Sequence, residues 1–187
     1  EPTMEEGGHA LFPTAMGVCG MAWGPQGVLA VQLPEANPSL TRECLLKGLH
    51  EGRGPASLPE GAPPPSVQAA MEGVQALLEG RSQSDLRHIQ LDMTRLTPFQ
   101  RQVYDFVRAI PPGQTRTYGE VAQALGDPGL ARAVGQAMGH NPFAPVVPCH
   151  RVLAAGNKPG GFSASGGART TLRMLMIEGA LERGLFD

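Results

Sequence analysis

Apolar and polar positions near the start of the chain alternate in short runs separated by glycine and proline, as is typical of strands and turns. Residues 12–33, FPTAMGVCGMAWGPQGVLAVQL, predict two strands joined by the turn GPQG. Residues 37–52 then change to a helical period, with Asn37 as the candidate N-cap. The apolar positions of this second segment are Leu40, Cys44 or Leu45, and Leu49. The pattern therefore predicts a β-hairpin followed by an amphipathic helix.

The middle of the chain combines a long irregular segment with two regular elements. Residues 52–66, GRGPASLPEGAPPPS, contain too much proline and glycine for a helix or strand, and Ser66 is the candidate cap of a helix over residues 67–79. Residues 88–93, HIQLDM, alternate as a half-buried strand does. Together with the hairpin, these elements predict a mixed α/β domain over residues 1–96.

A second domain is predicted to begin at residue 97, because Thr97 and Pro98 are typical of the start of a helix. The apolar residues that follow lie on one helical stripe: Phe99, Val103, Phe106, Val107 and Ile110. The chain is therefore divided into domains of residues 1–96 and 97–187.

The second domain contains a helix-turn-helix pattern. Residues 115–141, TRTYGEVAQALGDPGLARAVGQAMGHN, predict a helix over Tyr118–Leu125, the turn GDPG and a second helix over Leu130–Met138. A helix that reads the major groove carries several long polar side chains, whereas this second helix is mostly Ala and Gly, with Arg132 as its only charge. It is either built for close backbone approach to a partner or is one of two tightly packed core helices.

Composition narrows the class of protein. The chain has 187 residues, 41% of them hydrophobic, which is enough for one large or two small domains. No apolar run approaches the roughly 20 residues of a membrane helix, and no signal-like N-terminus is evident, so we expect a cytoplasmic protein without a membrane partner. The three cysteines, Cys19, Cys44 and Cys149, lack a CxxC spacing and are predicted to be reduced thiols.

Charge is distributed unevenly between the two domains. Residues 1–96 carry 6 basic and 11 acidic side chains, a net charge of −5, whereas residues 97–187 carry 9 and 6, a net charge of +3. Only the second domain therefore favours a polyanion such as DNA. Because this excess is small, we expect few phosphate contacts and a shallow dependence of DNA binding on salt.

The candidate chemistry lies in residues 146–152, VVPCHRV. Cys149 is either an inert buried thiol or a nucleophile, and the neighbouring His150 and Arg151 would favour its thiolate form. Adjacent side chains point to opposite faces of an extended segment, so a contact from Cys149 to His150 through a water molecule is expected. Glu178, in the segment MIEG, is the candidate acceptor that would orient His150.

These motifs together resemble a known family. RTYGEVAQAL, ARAVGQAMGHN, NPFAPVVPCHRV, GGFSASGG and MIEG follow one another as in the O6-alkylguanine-DNA alkyltransferases, the methylated-DNA-protein-cysteine methyltransferases. The resemblance covers residues 97–180, about half of the chain. It implies an α+β fold, with an RNase H-like mixed α/β domain followed by a helical, winged-helix-like domain that contains the helix-turn-helix.

The resemblance also implies a function. A monomer would bind double-stranded DNA that carries O6-alkylguanine through the minor groove, flip the damaged nucleotide out, and transfer the alkyl group irreversibly to Cys149. The catalytic residues implied are Cys149, His150, Glu178 and Asn141. The DNA-binding residues implied are Tyr118, Arg132, Ala131 and Gly135. The residues implied for the substrate pocket are Val152, Phe162, Ser163 and Ser165.

The sequence departs from the family in its loop and leaves several alternatives open. GGFSASGG is two residues longer than the family's Tyr-Ser-Gly-Gly loop, so either Ser163 or Ser165 would contact O6. No cofactor is predicted; some relatives hold a structural zinc, but the candidate ligands here have no distinctive spacing: His9, Cys19, Cys44, His50 and His88. The competing functions are a non-catalytic alkyltransferase-like lesion-binding protein, a cysteine hydrolase and a helix-turn-helix regulator.

Overall fold

A computed structural model of the chain describes residues 7–51, 58–81, 86–154, 158–159 and 167–180. Its first part is an antiparallel sheet of strands β1 (Gly8–Thr14), β2 (Gly17–Gly24) and β3 (Gly27–Gln32), in that order. The predicted hairpin is confirmed as β2 and β3, which are joined at the predicted turn. The prediction of only two strands is wrong, because the chain also reverses after Thr14 and the residues before that turn form β1.

The first sheet is covered on both faces, which explains the nearly continuous burial of β2 and β3. Helix α1 (Pro38–Glu51) packs on one face, and Asn37 caps it by accepting a hydrogen bond from the Leu40 N–H at 2.9 Å. The other face carries Trp23 into the main core, where it is fully buried. The predicted amphipathic helix and its cap are therefore confirmed.

Two predictions in the middle of the chain need correction. Helix α2 spans Pro65–Leu78 and begins after Pro64, so Ser66 lies inside the first turn and does not cap the helix. Proline has no backbone N–H, so Pro65 leaves one donor fewer to be satisfied in the first turn. The helix begins without a hydrogen bond from a capping side chain. Residues 88–93 do not form a strand either. Their only pairing is a single parallel bridge between Val28 and Leu91, because a turn precedes the bridge and Asp92 bonds the backbone of Thr94.

The second part of the chain contains the predicted helices. Helix α3 (Pro98–Arg108) has a capping box in which Thr97 and Gln100 each accept from the other's backbone N–H. Two short helices follow, α4 (Tyr118–Ala124) and α5 (Ala131–Gly139), joined through a 3-10 turn at Pro128–Leu130. The remaining elements are β4 (Arg116–Thr117), β5 (Val152–Ala154), β6 (Lys158–Pro159) and α6 (Gly167–Ile177). The α+β class and the helix-turn-helix are thus confirmed.

One main hydrophobic core extends across the predicted domain boundary at residue 97. It contains Trp23 and Val74 from the first part together with Val107, Val134 and Cys149 from the second. The free edge of β3 also bonds the second part directly, since the Val31 N–H donates to the Pro142 carbonyl at 2.8 Å. The sheet therefore supports the loop that precedes Cys149. Within the described ranges, every helix is too short or too polar to cross a membrane.

Candidate active site

Cys149 begins a 3-10 turn over Cys149–Arg151, which corrects the expectation of an extended segment. The turn is closed by a hydrogen bond from the Arg151 N–H to the Pro148 carbonyl at 2.9 Å, and the Cys149 N–H donates to Val147 at 2.8 Å. The Cys149 side chain is buried, with 6% of the residue exposed. The thiol is therefore held rigidly at the edge of the core.

Burial raises the pKa of the Cys149 thiol to about 11, although hydrogen bonds from the Asn141 side chain and from the backbone N–H groups of Cys149 and His150 lower it. The expected help from the charge of Arg151 is absent, because its guanidinium is bound to other groups. At neutral pH the isolated thiol is thus protonated. A nucleophilic role needs a base that removes this proton during the reaction.

Asn141 holds the loop that leads to the cysteine. Its side-chain Nδ2 donates to the Val147 carbonyl at 2.7 Å, and its Oδ1 accepts from the Phe143 N–H at 2.9 Å. The residue is 8% exposed, so both bonds are sheltered from water. Asn141, which the resemblance places among the catalytic residues, thus contacts the backbone on both sides of the turn that precedes Cys149.

His150 is buried, and one of its two ring nitrogens is hydrogen-bonded to a carboxylate. Its Nε2 lies 2.9 Å from Oε2 of Glu178. Because an ionised carboxylate only accepts hydrogen bonds, Nε2 must carry the proton, which leaves Nδ1 with a lone pair. Nδ1 is buried and finds no hydrogen-bond partner among the residues that the structure describes. Burial lowers the pKa of His150 despite the opposing effect of Glu178, so the ring is a neutral potential base.

Glu178 is placed by the end of helix α6. Its backbone N–H bonds to Met174, and Gly179 then adopts φ = +74°, a left-handed conformation in which glycine terminates helices without strain. The Ala180 N–H bonds back to Leu175 at 2.9 Å, which completes the cap. The motif MIEG therefore stops the helix where the carboxylate can face His150.

Arg151 binds Glu178, whereas the sequence suggested that its charge would act on Cys149. Its Nε donates to Oε1 of Glu178 at 2.9 Å, its Nη2 to Oε2 at 2.6 Å, and its Nη1 to the Ile110 carbonyl at 2.7 Å. Burial alone would raise the pKa of Glu178, but the hydrogen bonds from Arg151 and His150 outweigh it and lower that pKa to about 2. Glu178 is therefore ionised at all physiological pH values.

Tyr104 is a second residue that the sequence did not reveal. Its hydroxyl donates to the Ala137 carbonyl at 2.7 Å, and its ring meets Phe143 edge to face at 6.5 Å between centroids. Burial, and then the proximity of Cys149, raise the pKa of Tyr104. Tyr104 thus joins α3 to α5 close to the thiol. In the sequence, the only sign of its place near Cys149 is its position on the buried face of a helix, which many core residues share.

The predicted DNA-binding residues lie together on α4 and α5. Tyr118 is the first residue of α4, where the capping box of Thr117 and Glu120 fixes the backbone. Its ring lies against Gly135 of α5. Arg132 is exposed and Ala131 is half-buried, both in the first turn of α5. The structure therefore brings these four residues to one side of the helix-turn-helix.

The remaining predicted site residues are only partly described. Val152 is buried and pairs with Arg116, because strands β4 and β5 lie side by side in parallel. Phe162, Ser163 and Ser165 lie outside the described residues. No three His, Cys, Asp or Glu side chains in the described ranges are arranged to hold a metal ion, and the side chain of the candidate ligand His50 is not among those described.

Comparisons with known proteins point to one family. Residues 98–180 match the family model described as 6-O-methylguanine DNA methyltransferase, DNA binding domain. The chain is 51% identical over 87 residues to a methylated-DNA-protein-cysteine methyltransferase of Mycolicibacterium paratuberculosis, a match that covers 46% of this chain and 52% of the relative. The chain thus spans about half the length of the mycobacterial relatives that it matches in sequence.

Two other similarities extend over most of the chain. A protein of the same name from Methanothermobacter thermautotrophicus is 33% identical over 165 residues, which cover 88% of this chain and 81% of the relative. The crystal structure of Mycobacterium tuberculosis OGT in complex with DNA superimposes with a TM-score of 0.69 at 28% identity, covering 96% of this chain and 99% of that one. The similarity therefore includes both parts of the fold.

Proposed function

This chain belongs to the methylated-DNA-protein-cysteine methyltransferase family, and from that premise we propose that it repairs DNA by transferring the alkyl group of O6-alkylguanine to its own Cys149. The observation that carries the proposal is the buried Cys149 next to a neutral His150 that Glu178 orients. In a chain that resembles DNA-binding methyltransferases over nearly its whole length, this arrangement favours a nucleophilic thiol above a structural one.

The proposed reaction moves one proton from the thiol and one alkyl group from the guanine. His150 Nδ1 accepts the thiol proton through a bridging water, and Glu178, held ionised by Arg151, stabilises the positive charge that develops on the ring. The Cys149 sulfur then attacks the alkyl carbon in line with the carbon–oxygen bond. The S–C bond forms as the C–O6 bond breaks, and the electron pair of the broken bond remains on the guanine. The guanine takes up one proton, which balances the proton that His150 received from the thiol, and it remains in the DNA as the normal base.

The transfer is proposed to occur once per molecule. A thioether has no good leaving group at sulfur, and neither His150 nor Glu178 can regenerate the thiol from it by proton transfer. The cysteine is thus consumed, which distinguishes this function from a cysteine hydrolase, in which water releases the enzyme for another cycle.

The DNA is proposed to bind as a double strand through its minor groove to a single copy of the chain. Helix α5 offers a backbone surface at Ala131 and Gly135 with few long side chains, as suits contact without base reading. Tyr118 would crowd the phosphate of the target nucleotide, and the exposed Arg132 would enter the stack in place of the flipped base. Val152 would line the pocket, together with Phe162 and either Ser163 or Ser165.

The test is the intact mass of the protein after incubation with duplex DNA that contains O6-methylguanine. We expect a gain of one methyl group, located by peptide mapping on Cys149, and no further turnover. Cys149→Ala should show no gain while still binding the DNA. Cys44→Ser, which changes a half-exposed thiol on helix α1, is the matched control and should react like the wild type.

The other outcomes separate the competing functions. Binding to the alkylated duplex without any mass change would instead identify a lesion-binding protein of the alkyltransferase-like group. Multiple turnovers without a lasting adduct would identify a hydrolase. Binding to one unmodified sequence above all others would identify a regulator.

A further inference from the structure

The ring of Tyr118 occupies the space where a side chain at position 135 would lie. A Cβ atom built on Gly135 would be 3.2 Å from Cε2 and 3.3 Å from Cδ2 of Tyr118, closer than most Cβ atoms come to any neighbour. The direction in which Gly135 lacks a side chain is thus filled by this protein's own aromatic ring. The small size of the residue has an explanation inside the helix-turn-helix, independent of any approach to DNA.

The same is not true of the other glycines of these two helices. A Cβ atom on Gly139, one turn further along α5, would have nothing within 4 Å. A Cβ atom on Gly119 would only reach ordinary contact distance from the Thr117 side chain, at 3.8 Å. Close contact with an aromatic ring therefore distinguishes Gly135 from its neighbours.

The backbone of Tyr118 has little freedom to move away. Thr117 accepts from the Glu120 N–H at 3.1 Å, and Glu120 accepts from the Thr117 N–H at 3.0 Å, so the first turn of α4 is fixed on both sides of Tyr118. A larger residue at position 135 would have to be accommodated by rotation of the Tyr118 side chain. A displacement of a few tenths of an ångström would then be transmitted to the ring alone.

We infer that Gly135 is a positioning residue: the absence of a side chain at position 135 fixes the position of the Tyr118 ring. That position in turn determines how the ring presses on the target nucleotide during its extrusion. The inference rests on the proposed function, in which Tyr118 faces the phosphate of that nucleotide. It assigns Gly135 a role that acts through another residue, in addition to the backbone surface that α5 offers to DNA.

The experiment compares Gly135→Ala with the matched control Gly139→Ala. Both changes replace a helical glycine of α5 by alanine, and Gly139 is the last residue of that helix, but only the first change meets the ring. We expect Gly135→Ala to slow single-turnover transfer from duplex DNA by about tenfold, since small misplacements of positioned groups are costly. Its transfer from the free O6-alkylguanine base should stay within about twofold of wild type, because no extrusion is needed there. Gly139→Ala should leave both rates unchanged.

A double-mutant comparison identifies the partner. In a Tyr118→Ala background the ring is gone, so Gly135→Ala should add less than about a twofold effect on duplex transfer. If the full slowing persists in that background, Gly135 acts on the DNA or on the helix and the inference is wrong. Should Gly135→Ala fail to fold, the inference requires the double variant to fold normally, and a double variant that also unfolds overturns it.

A readout without activity separates this inference from the proposed function. The chain has two tyrosines, so labelling with 3-fluorotyrosine gives two fluorine NMR signals, which Tyr118→Ala assigns. Gly135→Ala should shift the signal of Tyr118 and leave that of Tyr104 in place, whether or not the protein transfers alkyl groups. An unshifted Tyr118 signal would refute the inference that Gly135 positions the Tyr118 ring. A wild-type protein that fails to gain mass from alkylated DNA would refute only the proposed function.

Discussion

Replacing Arg151 with methionine tests the role of the buried ion pair. The change keeps most of the side chain's volume but removes three hydrogen bonds, two to Glu178 and one to the Ile110 carbonyl. Both charged side chains are almost fully enclosed, with 1% and 3% exposed. Glu178 would then keep only His150 as its partner, at a place where water cannot replace the guanidinium.

The expected magnitude follows from the pKa of Glu178. In the folded chain that pKa is lowered from 4.5 to about 2. A tenfold change in an acid constant corresponds to about 1.4 kcal/mol, so the interactions of the ionised Glu178 stabilise the fold by roughly 3 kcal/mol. Removing one partner of a buried ion pair costs about 3–5 kcal/mol in other proteins, which agrees with this figure. We therefore expect Arg151→Met to lower the free energy of unfolding at pH 7 by about 3 kcal/mol.

The stabilisation by ionised Glu178 should depend on pH, and its direction follows from the lowered pKa. Because the pKa of Glu178 is lower in the folded than in the unfolded chain, its stabilisation is complete above about pH 5 and is lost as the pH falls from 4.5 towards 2. Urea denaturation of both proteins between pH 7 and pH 3 should show a difference in stability that narrows below about pH 4. Arg101→Met is the control, because Arg101 is exposed and, within the described part of the chain, its side chain bonds only the Thr94 carbonyl. A loss of less than about 0.5 kcal/mol for Arg151→Met would refute the reasoning.

Three further outcomes are expected. Arg132→Ala should slow transfer from duplex DNA at least tenfold and leave transfer from the free base nearly unchanged, as measured by single-turnover mass spectrometry; equal slowing of both would place Arg132 in the pocket or the fold. Asn141→Ala should lose about 2 kcal/mol of stability with its two buried hydrogen bonds and slow both reactions; a wild-type free-base rate would show that the loop needs no such support. The rate of wild-type transfer from the free base should be independent of pH between 7 and 9, because the thiol passes its proton to neutral His150 inside the protein. His150→Gln should react more slowly, and its rate should increase as the pH rises towards the Cys149 pKa of about 11. A wild-type rate that rises with pH would contradict the role of His150 as base.

Local signals in the sequence predicted most helices and the candidate nucleophile. Asn37 and Thr97 cap α1 and α3 as predicted, because capping depends on residues only three positions apart. The helix-turn-helix was predictable for the same reason, from helical periods on both sides of a glycine-rich turn. The segment VVPCHRV likewise places the candidate thiol and the candidate base next to each other in the sequence. These features were predictable because each depends only on residues that are close together in the sequence.

Long-range packing decided the rest. The alternating residues 88–93 form one bridge and no strand, because a turn precedes Leu91 and the edge of β3 bonds the Pro142 carbonyl further along, at Val31. The sequence placed Arg151 beside Cys149, but the fold turns its guanidinium to Glu178, 27 residues away, where a buried carboxylate requires a donor. In the same way, nothing local shows that Gly135 meets the ring of Tyr118. Burial and close packing are set by residues far apart in the chain, so only the tertiary structure determines which charges pair and which rings touch.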